Sequence, residues 1–113
     1  MAAVEILARV RSGEAILIDV REPREWTAGV AERAWLLPLS DLTGPRRRWL
    51  RFLVEHPGRE TYVYCKSGGR SAIVARILAA EGFRAANAGS LAELVAAGWS
   101  VVPPPCTEIP MAE

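Results

Sequence analysis

Short runs of wholly apolar residues alternate along this chain with longer segments whose apolar residues recur every three or four positions. The run 15–18 (AILI) has no polar face, which is typical of a strand that is buried on both sides. Similar strands are predicted at 34–37, at 61–64 and around 84–88. Strands that alternate with helices form a parallel sheet covered by helices on both faces. The sequence therefore predicts a three-layer α/β fold.

Helical spacing of apolar residues, together with residues that favour the start or end of a helix, predicts five helices between and beside these strands. They are expected at 4–10, 22–26, 45–55, 71–81 and 90–97. In the third of these, Trp49, Leu50, Leu53 and Val54 are predicted to face the core. In the fourth, we expect the core-facing residues to be Ile73, Val74, Ile77 and Leu78.

Length and charge restrict the classes of protein to which this chain can belong. Its 113 residues predict one folded domain over 1–102, followed by an extended, proline-rich tail over 103–113. Fourteen basic and thirteen acidic residues leave a net charge of +1, so we expect neither nucleic-acid nor membrane binding. Glu5, Arg9 and Arg11 interrupt the N-terminal region, where a secretion signal needs an unbroken apolar stretch. We therefore expect a cytoplasmic location.

The chain contains two cysteines, Cys65 and Cys106, and a single histidine, His56. A structural zinc site needs four Cys or His ligands, so we expect no metal and no other cofactor. Cys106 lies in the predicted tail, where it could relay sulfur, form a disulfide with Cys65, or have no function. The third interpretation is favoured, because tail positions tolerate most residues. Asn87 is the only side-chain amide in the sequence.

The candidate active site is the segment that follows the predicted strand at 61–64, and we call residues 65–70 (CKSGGR) the cysteine loop. Adjacent glycines, Gly68 and Gly69, allow positive φ values, so that successive N–H groups can point inward and bind an anion. The helix that follows adds its own free N–H groups. A thiolate of Cys65 is stabilised in such surroundings, which predicts a nucleophile rather than a structural cysteine.

Other side chains of this segment are predicted to assist the thiolate. Lys66 and Arg70 supply positive charge, while Ser67 and Ser71 supply hydroxyl groups. Ser71 could equally be a helix cap.

Four segments together resemble the single-domain rhodaneses, the thiosulfate sulfurtransferase-like family. Residues 17–22 (LIDVRE), with Glu25 and Trp26 after them, resemble the opening strand of that family and its acidic–basic pair. The segment 29–39 is similar to the family's second motif, 65–71 (CKSGGRS) to its active loop, and 89–98 to its closing helix. The sequence departs from the family at Val30, Ser90 and Leu94, where histidine, glycine and tryptophan are usual.

The resemblance implies a rhodanese-like fold with five parallel strands and with Cys65 as the nucleophile that carries sulfur. It implies a sulfurtransferase that moves sulfur from an anionic donor such as thiosulfate, through a Cys65 persulfide, to cyanide or a thiol. Asp19 and Arg21 are expected to support the cysteine loop. The alternative is that they form only an ion pair at the protein surface. A sulfur-acceptor protein is a possible partner, and the alternative function is a persulfide-carrying or regulatory module.

The length of the cysteine loop favours sulfur over phosphate chemistry. Four residues separate Cys65 from Arg70, whereas related phosphatases have five. A shorter loop suits a single terminal sulfur better than the three oxygens of a phosphoryl group. Phosphatase or arsenate reductase activity is therefore a remote alternative.

Overall fold

The structure, a computed structural model, describes residues 1–105. The helices are α1 (Ala3–Arg11), α2 (Pro23–Trp26), α3 (Leu39–Leu42), α4 (Arg47–Glu55), α5 (Gly69–Ala80) and α6 (Leu91–Ala96). The strands are β1 (Ala15–Asp19), β2 (Val30–Ala31), β3 (Trp35–Leu36), β4 (Glu60–Cys65), β5 (Ala85–Ser90) and β6 (Val101–Val102). Within this part of the chain, no helix has the length and apolar composition needed to cross a bilayer.

Four strands form one parallel sheet in the order β3-β1-β4-β5. Strands β1 and β4 occupy its centre and pair from Ala15 with Glu60 to Asp19 with Tyr64. Because the strands are parallel, their carboxyl ends meet at one edge, which is where ligands bind in open α/β sheets. This edge carries Asp19 at the end of β1 and Cys65 at the end of β4.

Helices cover both faces of the sheet, which confirms the predicted three-layer α/β fold. Ile16 and Ile18 of β1 pack in one core cluster with buried residues of α3, α4 and α5. Leu17, which points to the other face, packs in a second cluster with residues of α1 and α6. The uninterrupted apolar run at 15–18 is therefore explained by burial of both faces of β1.

The predicted number of five parallel strands is wrong. The remaining strands, β2 and β6, form a separate antiparallel pair in which Val30 faces Val102 and Ala31 faces Val101. Gly98, with a φ of +117°, follows α6 and allows the chain to reverse toward β2. Strand β6 thus pairs with β2 outside the parallel sheet.

The predicted inner face of α4 is only partly correct. Trp49 and Leu53 are buried, but Leu50 and Val54 are exposed. Phe52 is buried in their place. Residues 49, 52 and 53 share one side of a helix because they are three and four positions apart.

The predicted inner face of α5 also needs correction. Val74 and Leu78 are buried in the core, and Ile77 packs against it, but Ile73 is exposed. Ser71 is fully buried one turn before Val74. A polar side chain therefore occupies the first inward position of α5, beside the carboxyl end of β4.

A buried polar network joins the centre of the sheet to β2. The Asp19 carboxylate accepts hydrogen bonds from the backbone N–H and guanidinium of Arg21 and from the Tyr64 hydroxyl, the last at 2.6 Å. Tyr64 in turn accepts the N–H of Ala31 at 2.9 Å, and Arg21 donates to the Gly29 carbonyl at 2.8 Å. Because Asp19 and Arg21 are buried, the open possibility of a surface ion pair is wrong.

We expect Tyr64→Phe to lower the free energy of unfolding by about 1–3 kcal/mol, because it leaves a buried N–H unpaired and removes a donor from a buried carboxylate. Equilibrium urea unfolding measures the loss. Tyr62→Phe is the matched control, because the Tyr62 hydroxyl donates to the partly exposed Glu60 on the same strand and its loss should cost less. Equal losses in the two variants would contradict this account of the network.

Candidate active site

Cys65 is the last residue of β4 and is fully buried at the carboxyl edge of the sheet. Its Sγ accepts the N–H of Gly68 at 3.0 Å and the N–H of Ser71 at 3.4 Å. The Ser71 hydroxyl lies 3.5 Å from the same sulfur. The chain therefore turns around Sγ and directs backbone donors at it from the loop and from the first turn of α5.

The turn depends on one glycine rather than on two. Gly68 has a φ of +95°, in the left-handed region that favours glycine, and it is the N-cap of α5. Gly69 is already the first helical residue and does not have a positive φ, so the expectation for it is wrong. The helix begins two residues earlier than predicted, and Ser71 is inside it rather than its cap.

The pKa of the Cys65 thiol is below that of an ordinary cysteine. Burial raises this pKa, but hydrogen bonds from the Ser71 hydroxyl and from the backbone N–H groups of Ser71, Ser67 and Gly68 outweigh it. Charge-assisted hydrogen bonds stabilise the thiolate and not the thiol. The arrangement therefore favours a nucleophilic sulfur inside an apolar core.

Arg70 forms an ion pair that the sequence analysis did not predict. Its guanidinium donates to both carboxylate oxygens of Glu25, at 2.6 and 2.8 Å. These bonds lower the pKa of Glu25 to about 2, against an opposing effect of burial. The predicted positive charge of Arg70 still acts on Cys65, but its guanidinium is bound to a carboxylate of α2.

The two residues between Cys65 and Gly68 are exposed. The Lys66 side chain makes no hydrogen bond or ion pair with any residue of 1–105, so its positive charge faces solvent beside the loop. Ser67 contributes its backbone N–H to Cys65, whereas the prediction assigned the role to its hydroxyl.

Asn87 is a residue of the site to which the sequence analysis gave no role. Its side chain accepts a hydrogen bond from the Ser71 hydroxyl at 2.7 Å and donates to the Gly68 carbonyl at 3.1 Å. The one signal in the sequence was that Asn87 is the only side-chain amide.

Asp19 and Arg21 make no hydrogen bond to residues 65–71 in the described part of the chain. They are connected to the site through Tyr64, whose hydroxyl donates a hydrogen bond to Asp19 and which directly precedes Cys65 in the chain. Their supporting role therefore stays a prediction, with Tyr64 as the connecting residue.

Within residues 1–105, no group of three His, Cys, Asp or Glu side chains is placed to hold a metal ion. Cys106 lies outside the described residues, so its predicted roles stay open. The chemistry that the described site can perform is nucleophilic attack by a sulfur atom held among N–H donors.

Residues 2–97 match the family described as the Rhodanese-like domain. The chain belongs to this family. The predicted resemblance is thereby confirmed, and it covers nearly all of the described residues. No curated protein sequence matches the chain.

Solved structures of rhodanese-like proteins have the same fold. A rhodanese-related protein from Thermoplasma volcanium superposes with a TM-score of 0.75 and 24% identity, over 92% of this chain and 97% of that one. The human single-domain sulfurtransferase TSTD1 gives 0.67 and 24%, over 85% and 94%. An E. coli rhodanese with anions gives 0.60 and 26%, over 70% and 89%. This rhodanese-like chain therefore has sulfurtransferases among its structural neighbours.

The three departures from the rhodanese pattern lie in the scaffold. Val30 is buried in a small cluster with Trp26 and Leu36, and Leu94 is fully buried in the core. Ser90 is the N-cap of α6 and accepts the N–H of Glu93. Each side chain serves packing or capping, and none bonds the Cys65 sulfur.

We expect Glu25→Gln to lower the free energy of unfolding above about pH 4.5 and to have little effect near pH 2. The depressed pKa of Glu25 contributes stability that is present above its unfolded-state value of 4.5 and is lost as pH falls through about 2. Urea unfolding from pH 6 to pH 2 measures the difference between parent and variant.

Glu81→Gln is the matched control, because Glu81 also pairs with an arginine, Arg46, but at a more exposed position. Its effect should be smaller at every pH. A loss in Glu25→Gln that does not change with pH would contradict the ion pair.

Proposed function

We propose that this rhodanese-like protein is a sulfurtransferase that moves sulfane sulfur from a donor such as thiosulfate to a thiophilic acceptor through a Cys65 persulfide. The observation that carries the proposal is the pair of backbone N–H groups, from Gly68 and Ser71, that bond the Cys65 sulfur at a buried strand end. Such donors stabilise an anionic sulfur without a metal or a bound cofactor.

In the first half-reaction, the Cys65 thiolate attacks the outer sulfur of thiosulfate. A new S–S bond forms as the S–S bond of the donor breaks, and its electron pair leaves with sulfite. The product at Cys65 is a persulfide anion, whose charge the loop N–H groups continue to stabilise. No proton has to reach the leaving group.

In the second half-reaction, the acceptor attacks the terminal sulfur of the persulfide. Cyanide leaves as thiocyanate, a thiol leaves as a persulfide, and the Cys65 thiolate is regenerated in both cases. Because the donor product departs before the acceptor reacts, ping-pong kinetics are expected. No external oxidant or reductant takes part.

Lys66 is the proposed cation for attracting an anionic donor. Its side chain is exposed and unpaired within residues 1–105, whereas Arg70 is held by Glu25. Lys66 directly follows the buried Cys65 in the chain. Lys66 would therefore guide the donor toward Cys65.

The geometry supports sulfur transfer better than phosphate-ester hydrolysis. Hydrolysis needs a protonated acid for the leaving oxygen. The carboxyl that pairs with Arg70, Glu25, has a pKa of about 2 and is ionised at neutral pH. It cannot serve as that acid.

The partners and the location belong to the same proposal. We expect a small anionic donor and a thiol or cyanide acceptor, with a sulfur-acceptor protein as a further partner, in the cytoplasm. A persulfide-carrying module would share the first half-reaction and depend on its protein partner for the second.

Incubation with thiosulfate should increase the intact mass of the protein by one sulfur atom. Cys65→Ser should abolish the gain, because it removes the attacking sulfur, and intact-protein mass spectrometry measures both. Cys106→Ser is the matched control and should load sulfur like the parent. A gain that depends on Cys106, or no gain in the parent, would overturn the proposal.

Turnover with thiosulfate and cyanide then distinguishes an enzyme from a carrier module. An enzyme releases thiocyanate over many cycles. A carrier loads one sulfur and stops, so loading without turnover would favour the module.

A further inference from the structure

Asn87 is exposed on β5, yet all of its side-chain hydrogen bonds are directed at the cysteine loop, the first turn of α5 and its own strand. Its Nδ2 donates to the Gly68 carbonyl at 3.1 Å. Its Oδ1 accepts the Ser71 hydroxyl at 2.7 Å and the Gly89 N–H at 2.9 Å. Three of the four hydrogen bonds that an asparagine side chain can form are thus made within the protein.

An irregularity in the sheet places Asn87 there. Val63 pairs with Asn87, but the next residue of β4, Tyr64, pairs with Gly89, so Ala88 is an extra residue in β5. Such bulges redirect side chains and are frequent beside active sites. This one lies level with the two residues of β4 that precede Cys65.

Asn87 donates to the carbonyl of Gly68, and the N–H of the same Gly68 forms the shortest hydrogen bond to the Cys65 sulfur. That carbonyl also accepts the N–H of Ala72, the first bond of α5. Donors from β5 and from α5 thus fix Gly68 from two sides, while its own N–H points to Sγ at 3.0 Å. Gly68 also faces Gly89, since a Cβ at position 68 would be in ordinary contact, at 3.7 Å, with the Gly89 backbone.

Asn87 also determines where the Ser71 hydroxyl points. The hydroxyl has a single hydrogen, and its contact with Asn87 is 2.7 Å, compared with 3.5 Å to the Cys65 sulfur. Asn87 and the Cys65 sulfur thus share the Ser71 hydroxyl, and the other donors to the sulfur are backbone N–H groups, whose direction is set by the conformation of the loop.

We propose that Asn87 is a positioning residue, which holds the cysteine loop and the first turn of α5 so that their N–H groups face the Cys65 sulfur. The inference rests on the proposed function, in which that sulfur is the nucleophile. Asn87 itself does not touch the sulfur. It acts through Gly68 and Ser71.

The test is the pH profile of Cys65 alkylation by iodoacetamide, measured in a Cys106→Ser background so that one thiol reacts. We expect Asn87→Ala to move the midpoint of the profile to higher pH, and to do so most clearly in a Ser71→Ala background, where no hydroxyl freed from Asn87 can donate to the sulfur instead. At a pH below the midpoint, the rate relative to the variant's own high-pH plateau should fall about three- to tenfold, because a less ordered ring of N–H groups stabilises the thiolate less well. The charges nearest the sulfur stay unchanged, because Arg70 keeps its ion pair with Glu25.

Asn87→Asp is the second variant. It keeps the acceptor for Ser71 and Gly89, loses the donor to Gly68 and adds negative charge, so its midpoint should rise at least as far. Because Asn87 is exposed, neither change opens a cavity, and thermal unfolding verifies that both variants fold. Arg84→Ala is the matched control, since Arg84 is an exposed polar residue just before β5 whose hydrogen bond goes to Gly58.

Two results separate this inference from the proposed function. A low midpoint in the parent with an unchanged or lower midpoint in Asn87→Ala would overturn the role of Asn87 and leave the nucleophile intact. A parent midpoint equal to that of a free thiol would overturn both. An Arg84→Ala profile as altered as that of Asn87→Ala would also overturn the specific role of Asn87.

Discussion

The hydrogen bonds from backbone N–H groups to the Cys65 sulfur are the interaction on which the rest of this structure depends. A buried thiolate without donors would be too costly to form, because burial alone raises the pKa of the thiol. At the end of β4, Gly68 and the first turn of α5 supply N–H groups that stabilise the thiolate. These N–H groups are available because the first N–H groups of a helix have no carbonyl acceptor within it. The parallel sheet matters because it places a strand end and a helix start at one point.

The charges around the site are largely neutralised within the fold. Asp19 pairs with Arg21, and Glu25 pairs with Arg70. Both ion pairs connect the region around the end of β1 to the rest of the site. The first is hydrogen-bonded to Tyr64 of β4, and the second includes Arg70 of α5. The site therefore holds its anion mainly with dipoles, and Lys66 supplies an unpaired charge within residues 1–105. The small anionic donor that we propose suits such a site.

The sequence was sufficient to predict the layers, the long strands and the position of Cys65, because these depend on patterns of burial and on a contiguous motif. It was not sufficient for β2 and β6, whose two residues each form no pattern, whereas the equally short β3 lies within the apolar run 34–37. The contacts of Glu25 with Arg70 and of Asn87 with Gly68 join residues 45 and 19 positions apart, and only the folded chain brings them together. The exposed Leu50 and Val54 show that apolar spacing alone does not fix which helix face is buried.

The most direct test of the central claim is an NMR titration of the backbone amides of Gly68 and Ser71 with pH. If these N–H groups bond the sulfur, their proton shifts should change together as Cys65 ionises, with a midpoint below that of an ordinary thiol. Cys65→Ser should remove the transition. Shifts that do not titrate, or a midpoint like that of a free cysteine, would contradict the account.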